Sequence, residues 1–223
     1  MAARHKIVVY FDVVSPWSRV AVVALRRYQK PWNLDLIFEP VNLGYVMKQA
    51  ENRPPISVQN KGIWMDEDMS RASKFYGVTL NRPPVFPVNT FFAQSLLRLI
   101  QINHPEKLDD SIDALYEAVW TRNDEVEKPE TLGKVIKPIF NDDQKIKSLV
   151  ERAYDKQEKG ALADLSRKLV TEGGAFGAPW IVVTRKSDGK TAKFFGSDRT
   201  EQIAAFLGEP YRGPFANDSV PKL

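Results

Sequence analysis

The chain has 223 residues, 43% hydrophobic and 27% charged, which is the make-up of a folded protein of one or two domains rather than a disordered chain. Lys and Arg number 32 against 28 Asp and Glu, a small surplus that suits anionic small ligands and is too weak to argue for nucleic acid. There is no cysteine, and the histidines are only His5 and His104. Disulfides, a Cys nucleophile, dithiol redox cycling and a His-rich metal site are therefore excluded. No apolar run reaches the roughly 18 residues of a membrane span, and the short lead into Ile7 leaves little room for a cleaved targeting peptide.

Residues 7–11 are β-branched and aromatic and read as a buried strand. Ser15 is a good N-cap and Pro16 suits the first helical position. The helix is expected to run to about Lys30, with Val20, Val23, Ala24 and Tyr28 packed, and Pro31 stops it. Residues 34–39 alternate well enough for a second strand, parallel to the first. Residues 40–65 read as irregular, Met65–Tyr76 as a helix, and 82–87 as a rigid proline loop. Helices separated by Pro105, Pro129 and Pro138 follow. Asn141 with Gln144 opens another by capping-box logic, and Gly160 is expected to break it. Trp180–Thr184 and Thr191–Phe195 form a hairpin across Ser187-Asp188-Gly189. Ser197 and Asp198 cap a last helix, and Tyr211–Leu223 reads as a surface tail. The order β-α-β, helices, β-β-α is that of a thioredoxin-like α/β fold interrupted by an all-helical insertion. The expected domains are 1–62 with 175–223, and 63–174 for the insertion.

Three places could carry chemistry. Ser15 sits where a strand hands over to a helix N-terminus, the place that holds an attacking cysteine in thioredoxin-like redox enzymes. A serine there cannot cycle electrons, but its hydroxyl can donate to the thiolate of a ligand. Alone, Ser15-Pro16 is an ordinary helix start. Pro179 directly precedes the third strand, where a cis-proline would present the Ala178 backbone beside Ser15 for pairing with a peptide ligand. The plainer reading is a trans proline at a strand start. Gly196-Ser197-Asp198-Arg199 could take a carboxylate on its N–H groups and an ammonium on Asp198, or could simply be a capping box closed by Glu201. Trp64, Phe75, Phe86, Phe91 and Phe92 could line an apolar second pocket or fill an interdomain core. His5 and His104 read as solvated.

Phe11-Asp12-Val13-Val14-Ser15-Pro16-Trp17, Asn52-Arg53-Pro54-Pro55, Lys61-Gly62, Gly174 to Pro179 and Phe195-Gly196-Ser197-Asp198-Arg199 together resemble the kappa-class glutathione S-transferases. Trp120-Thr121-Arg122-Asn123 and Leu207-Gly208-Glu209 extend the resemblance over nearly the whole chain. The resemblance implies a DsbA-like helical insertion, a homodimer, and glutathione as cosubstrate with no permanently bound cofactor or metal. It implies Ser15 as the catalytic hydroxyl, with Pro16 and Trp17 bordering the thiol. Asn52 and Lys61 would hold the glycyl end, and Ala178, followed by Pro179, would pair with the cysteinyl backbone. Ser197, Asp198 and Arg199 would take the γ-glutamyl end. Ala178 stands where a larger apolar residue is frequent, and Trp17 where Tyr is frequent, which leaves more of the thiol to Ser15.

The expected activity is attack of the glutathione thiolate on small apolar electrophiles, or reduction of hydroperoxides. Two alternatives share the fold: a glutathione-dependent 2-hydroxychromene-2-carboxylate isomerase, and a non-catalytic glutathione- or lipid-binding module. The terminal Pro221-Lys222-Leu223 is similar to receptor-read peroxisomal signals, so a peroxisomal location is expected, with the mitochondrion as alternative.

Overall fold

The structure, a computed structural model, describes residues 4–217. Strand β1 (His5–Phe11) leads into helix α1 (Pro16–Gln29) and strand β2 (Leu34–Pro40). Helix α2 (Leu43–Gln49), a short 3-10 turn at Pro55–Ser57 and α3 (Gln59–Tyr76) follow. Then come α4 (Phe91–Asn103), α5 (Leu108–Glu117), α6 (Pro129–Phe140), α7 (Asp143–Ala153) and α8 (Lys156–Thr171). Strands β3 (Trp180–Thr184) and β4 (Thr191–Phe195), a 3-10 turn at Ser197–Arg199 and α9 (Thr200–Leu207) complete the order. The sheet runs β2-β1-β3-β4, with β1 parallel to β2 and antiparallel to β3. This is the expected interrupted thioredoxin-like α/β arrangement.

The alternation in β1 decides how the layers meet. Ile7, Val9 and Phe11 are fully buried and join a large core shared with the helical block. Tyr10 points the other way and packs with Val182 against a smaller cluster of Val41, Val46, Leu169, Ala175 and Trp180. Three fully buried side chains, an Ile, a Val and a Phe, at about 1.5–3 kcal/mol each, are ample reason for this register. The indole of Trp120 donates to the Val13 carbonyl at 2.7 Å, and the Arg19 guanidinium donates to the Tyr116 carbonyl and to Glu117. The helical block is thus anchored directly to the loop that carries Ser15. The expected boundary at 62/63 lies inside α3.

Several elements differ from the sequence reading. Residues 40–65 are largely helical: the Asn42 side chain caps α2 by accepting from the Tyr45 N–H, and α3 begins at Gln59 rather than Met65. Asp66-Glu67-Asp68 consequently lies in mid-helix. Pro138 is inside α6, held there by buried Leu132, Val135 and Ile136. Asn141 does not open α7. It closes α6 at φ 51°, a conformation asparagine tolerates, and Asp142 caps α7 by accepting from the Lys145 N–H. Gly160 does not break α8; nothing lies within 4 Å of where its Cβ would be, so its cost is only the glycine entropy of about 1 kcal/mol. The break falls at Tyr154–Asp155.

His5 is buried, not solvated. Its Nδ1 accepts from the Lys186 N–H and its Nε2 lies 3.1 Å from Glu209. His104 is half-buried, edge-on to Phe140. Residues 210–215 are strapped to α1 rather than loose. The Trp32 indole donates to the Pro210 carbonyl, the Tyr28 hydroxyl to that of Gly213, and Arg27 stacks over Phe215. Residues 218–223, which include Pro221-Lys222-Leu223, lie outside the described residues.

Candidate functional site

Ser15 is the N-cap of α1, with Pro16 at the first helical position. Its hydroxyl accepts from the Ser18 N–H at 3.1 Å and donates to the Ala178 carbonyl at 3.3 Å. The first is the ordinary capping bond. The second is at the long end of the hydrogen-bond range, so this proton is readily turned to a better acceptor. The Ala178–Pro179 peptide is cis, and the Pro179 carbonyl accepts from the Gly196 N–H. That bond ties the β3 start to the turn before Ser197.

These elements frame a two-lobed cleft. The larger lobe, about 1030 Å³, is lined by Ser15, Pro16, Asn42, Asn52, Arg53 and Thr90 among others. The smaller, about 850 Å³, is lined by Trp64, Asp68, Arg71, Phe75, Tyr76, Pro179, Ser197 and Asp198 among others. Trp17, Lys61, Met65, Ala178 and Phe195 border both. Both are of the size usual for ligand sites.

Nine of the ten residues singled out from the sequence line this cleft. The exception is Arg199, which lines neither lobe; its guanidinium turns back to the Asp198 carboxylate at 3.4 Å. Asn52 lies just beyond α2, and its side-chain amide donates to the Phe176 carbonyl at 2.7 Å. Trp64 and Phe75 border the smaller lobe and Phe86 the larger. Phe91 and Phe92 face other partners, Tyr45 and Tyr154.

The Ser197 start differs from a capping box. No side chain caps either the 3-10 turn or α9, so the Asp198 carboxylate is not engaged with its own helix. Gly196 has φ +100°, and a Cβ there would meet Asp198 Oδ1 at 2.7 Å, so only glycine lets the carboxylate lie back over this turn. Burial, then Asp198 and Asp68, push the Tyr76 phenol pKa up. This end of the cleft carries two carboxylates, Asp198 paired with Arg199 and Asp68 with Arg71, to which an ammonium group can add a further pairing.

Sequence reasoning missed Asp12 as a site residue. It is fully buried, lines the larger lobe, and accepts from the Val14 N–H, the Leu43 N–H and the Thr90 hydroxyl. Burial pushes its pKa up to about 6 against the lowering effect of those three bonds. Gln94 is buried beside it, donating to the Phe11 and Val41 carbonyls and accepting from the Val13 N–H. Asp12 stands inside the quoted Phe11–Trp17 motif, but its partner Thr90 is 78 positions away, and no local spacing signals that pair.

Comparison with known proteins agrees with this arrangement. Residues 6–208 match the family described as DSBA-like thioredoxin domain. Glutathione S-transferase kappa 1 of Caenorhabditis elegans is 31% identical over 209 residues, covering 90% of each chain. Its human counterpart is 29% identical over 210 residues, covering 92% of each. A solved 2-hydroxychromene-2-carboxylate isomerase superposes with a TM-score of 0.74 at 18% identity, over 91% of this chain and 94% of its own, which shows a shared fold. A chain with a cysteine-free strand-to-helix turn at Ser15, matching over nearly its full length, belongs to the DsbA-like thioredoxin family and within it to the kappa-class glutathione S-transferases.

Proposed function

We propose that the cleft binds glutathione along its length and that Ser15 holds the thiolate for attack on electrophiles, a glutathione transferase reaction. The observation that carries this is the Ser15 hydroxyl, seated at the α1 N-terminus on the cleft wall and held to protein by one long donor bond. A glutathione thiol with a reference pKa of about 8.5 is mostly protonated near neutrality, and lowering it by about 2 units takes roughly 2.7 kcal/mol. One hydrogen bond to a charged sulfur contributes about 1.5–3 kcal/mol, and the helix N-terminus about 0.3–1.

In this reading the Ser15 hydroxyl rotates from the Ala178 carbonyl to the sulfur, and the freed carbonyl takes the cysteinyl N–H of the ligand, as an added strand would. Asn52 and Lys61 face the glycyl carboxylate. Ser197 and Asp198 face the γ-glutamyl head, with Arg199 holding Asp198. Trp17, Trp64 and Phe75 offer apolar surface to the electrophile. A solved cytosolic disulfide reductase with GSH shares the fold, at a TM-score of 0.59 and 12% identity. The half-exposed Val58, Ile63 and Trp64 near the cleft support a homodimer as part of the proposal, checked by light scattering. Peroxisomal location through Pro221-Lys222-Leu223 is likewise a proposal. An N-terminally tagged chain and a copy lacking that tripeptide test it, and diffuse signal from both would sink it.

The deciding experiment is turnover by the purified protein. Conjugation of glutathione to an aryl halide supports the reading. Isomerisation of 2-hydroxychromene-2-carboxylate without conjugation would assign the chain to the other reaction, and tight glutathione binding without turnover would make it a binding module.

A further inference from the structure

Thr90 is the N-cap residue of α4, yet its side chain makes no capping bond. Its hydroxyl turns instead to Asp12, donating to Oδ1 at 2.6 Å. Thr90 is 2% exposed and lines the lobe that contains Ser15. It therefore gives Asp12, which borders the same lobe with its carboxylate fully buried, a side-chain hydroxyl that also borders the cavity. Among the described residues no cation pairs with that carboxylate. From α5 the buried phenol of Tyr116 faces it, with Arg19 of α1 behind, held by Glu117. From α2 and α4 only the Leu43 N–H, Thr90 and Gln94 reach the Asp12 region. Arg53 and Lys61 lie elsewhere on the lobe wall.

An unpaired buried carboxylate in the wall of a site that must form a second anion is a problem in electrostatics. Like charges sharing one low-dielectric space disfavour each other's ionised forms. A thiolate formed beside ionised Asp12 would be opposed by it, whereas a thiolate formed as Asp12 gains a proton would not, because the charge of the site is then unchanged.

We propose that Asp12 stores the proton that leaves the glutathione thiol and that the Thr90 hydroxyl passes it across. The proposal rests on the thiol chemistry above and adds a destination for its proton. The S–H bond breaks and its electron pair stays on sulfur. The proton goes to Thr90 Oγ1, whose own proton moves to Asp12 Oδ1, where an O–H bond forms. After sulfur has bonded to carbon and the leaving group has departed with its electron pair, Asp12 returns its proton to solvent. At about pH 7 the carboxyl is poised for this, because burial holds its pKa up at about 6, ionised in the free enzyme yet close enough to accept a proton. Ser15 and Asp12 then have separate tasks: one donates to the sulfur, the other takes its proton through Thr90.

The test counts protons in the wild-type protein. Glutathione is titrated in at about pH 7 in buffers of different ionisation enthalpy, while the ultraviolet absorbance of the thiolate reports how much forms. Far less than one proton released per thiolate is the expected result. One proton released per thiolate overturns the relay and leaves the transferase reading standing; no thiolate at all overturns both. Asp12→Asn should restore release of about one proton per thiolate. Thr90→Val should lower kcat by about 100-fold with glutathione KM within about twofold, and Thr90→Ser should recover most of it. Equal kcat in the Val and wild-type proteins removes Thr90 from the path.

Discussion

Two helix starts border the cleft, one in each lobe, and they use their side chains in opposite ways. At α1, Ser15 is buried and fully engaged: it caps Ser18 and donates to Ala178. Behind it, Asp12, Thr90 and Gln94 tie the same loop to α2 and α4. At the Ser197–Arg199 turn no side chain caps the helix, and the Asp198 side chain is 66% exposed. The first start is a rigid, over-determined mount for one hydroxyl. The second leaves an exposed carboxylate, paired only with Arg199 at 3.4 Å among the described residues, open to whatever enters. A reacting atom needs fixed geometry, because effects realised only in the transition state depend on it. A head group that is merely held needs complementary charge, which acts alike in ground and transition states.

The largest expected effect lies behind the first start. The Asp12 pKa is raised from 3.8 to about 6, so the folded state holds the proton more tightly than the unfolded one. Its stabilising contribution is complete below the unfolded pKa and is lost as pH rises through about 6, a difference of about 3 kcal/mol. Relative to Asp12→Asn, the wild-type protein should lose stability between about pH 4 and pH 7 by that amount and change little above. Denaturant midpoints of both proteins across that range check it. Parallel curves would mean that Asp12 is not strained by its burial.

Ser15→Ala should lower conjugation by roughly 10- to 100-fold and raise the bound thiol pKa by about 1–2 units, with glutathione KM nearly unchanged. Rates and thiolate absorbance against pH measure both, and wild-type turnover at about pH 6.5 would remove Ser15 from the reaction. Asp198→Ala should show the opposite pattern, with glutathione KM up by roughly tenfold and kcat kept. A collapse of kcat at constant KM would make the second start as exacting as the first. Lys61→Ala should be milder still, about threefold in glutathione KM and weakening with added salt, because its charge meets the ligand in exposed surroundings. An effect indifferent to salt would mean that Lys61 acts through packing.

The sequence alone determined what depends on neighbours a few positions apart. Ser15-Pro16 at a strand-to-helix turn, the β-branched strands, the hairpin at Asp188-Gly189 and the absence of any thiol were all legible, and with them the fold; of the ten residues singled out for the site, nine line the cleft. Helix continuity was less so. Gly160 and Pro138 break helices by local propensity, yet buried Leu162, Leu132 and Ile136 hold them, because tertiary packing outweighs a propensity of about 1 kcal/mol for glycine. The choice between Asn141 and Asp142 as the cap hung on which of them closes the preceding helix with a positive φ. Only tertiary structure could bury His5 against Glu209 or strap residues 210–215 to α1. Only tertiary structure could place Thr90 of the helical block 2.6 Å from Asp12 of the strand loop. Burial and long-range pairing arise from where distant segments meet, and no spacing within the chain encodes that meeting.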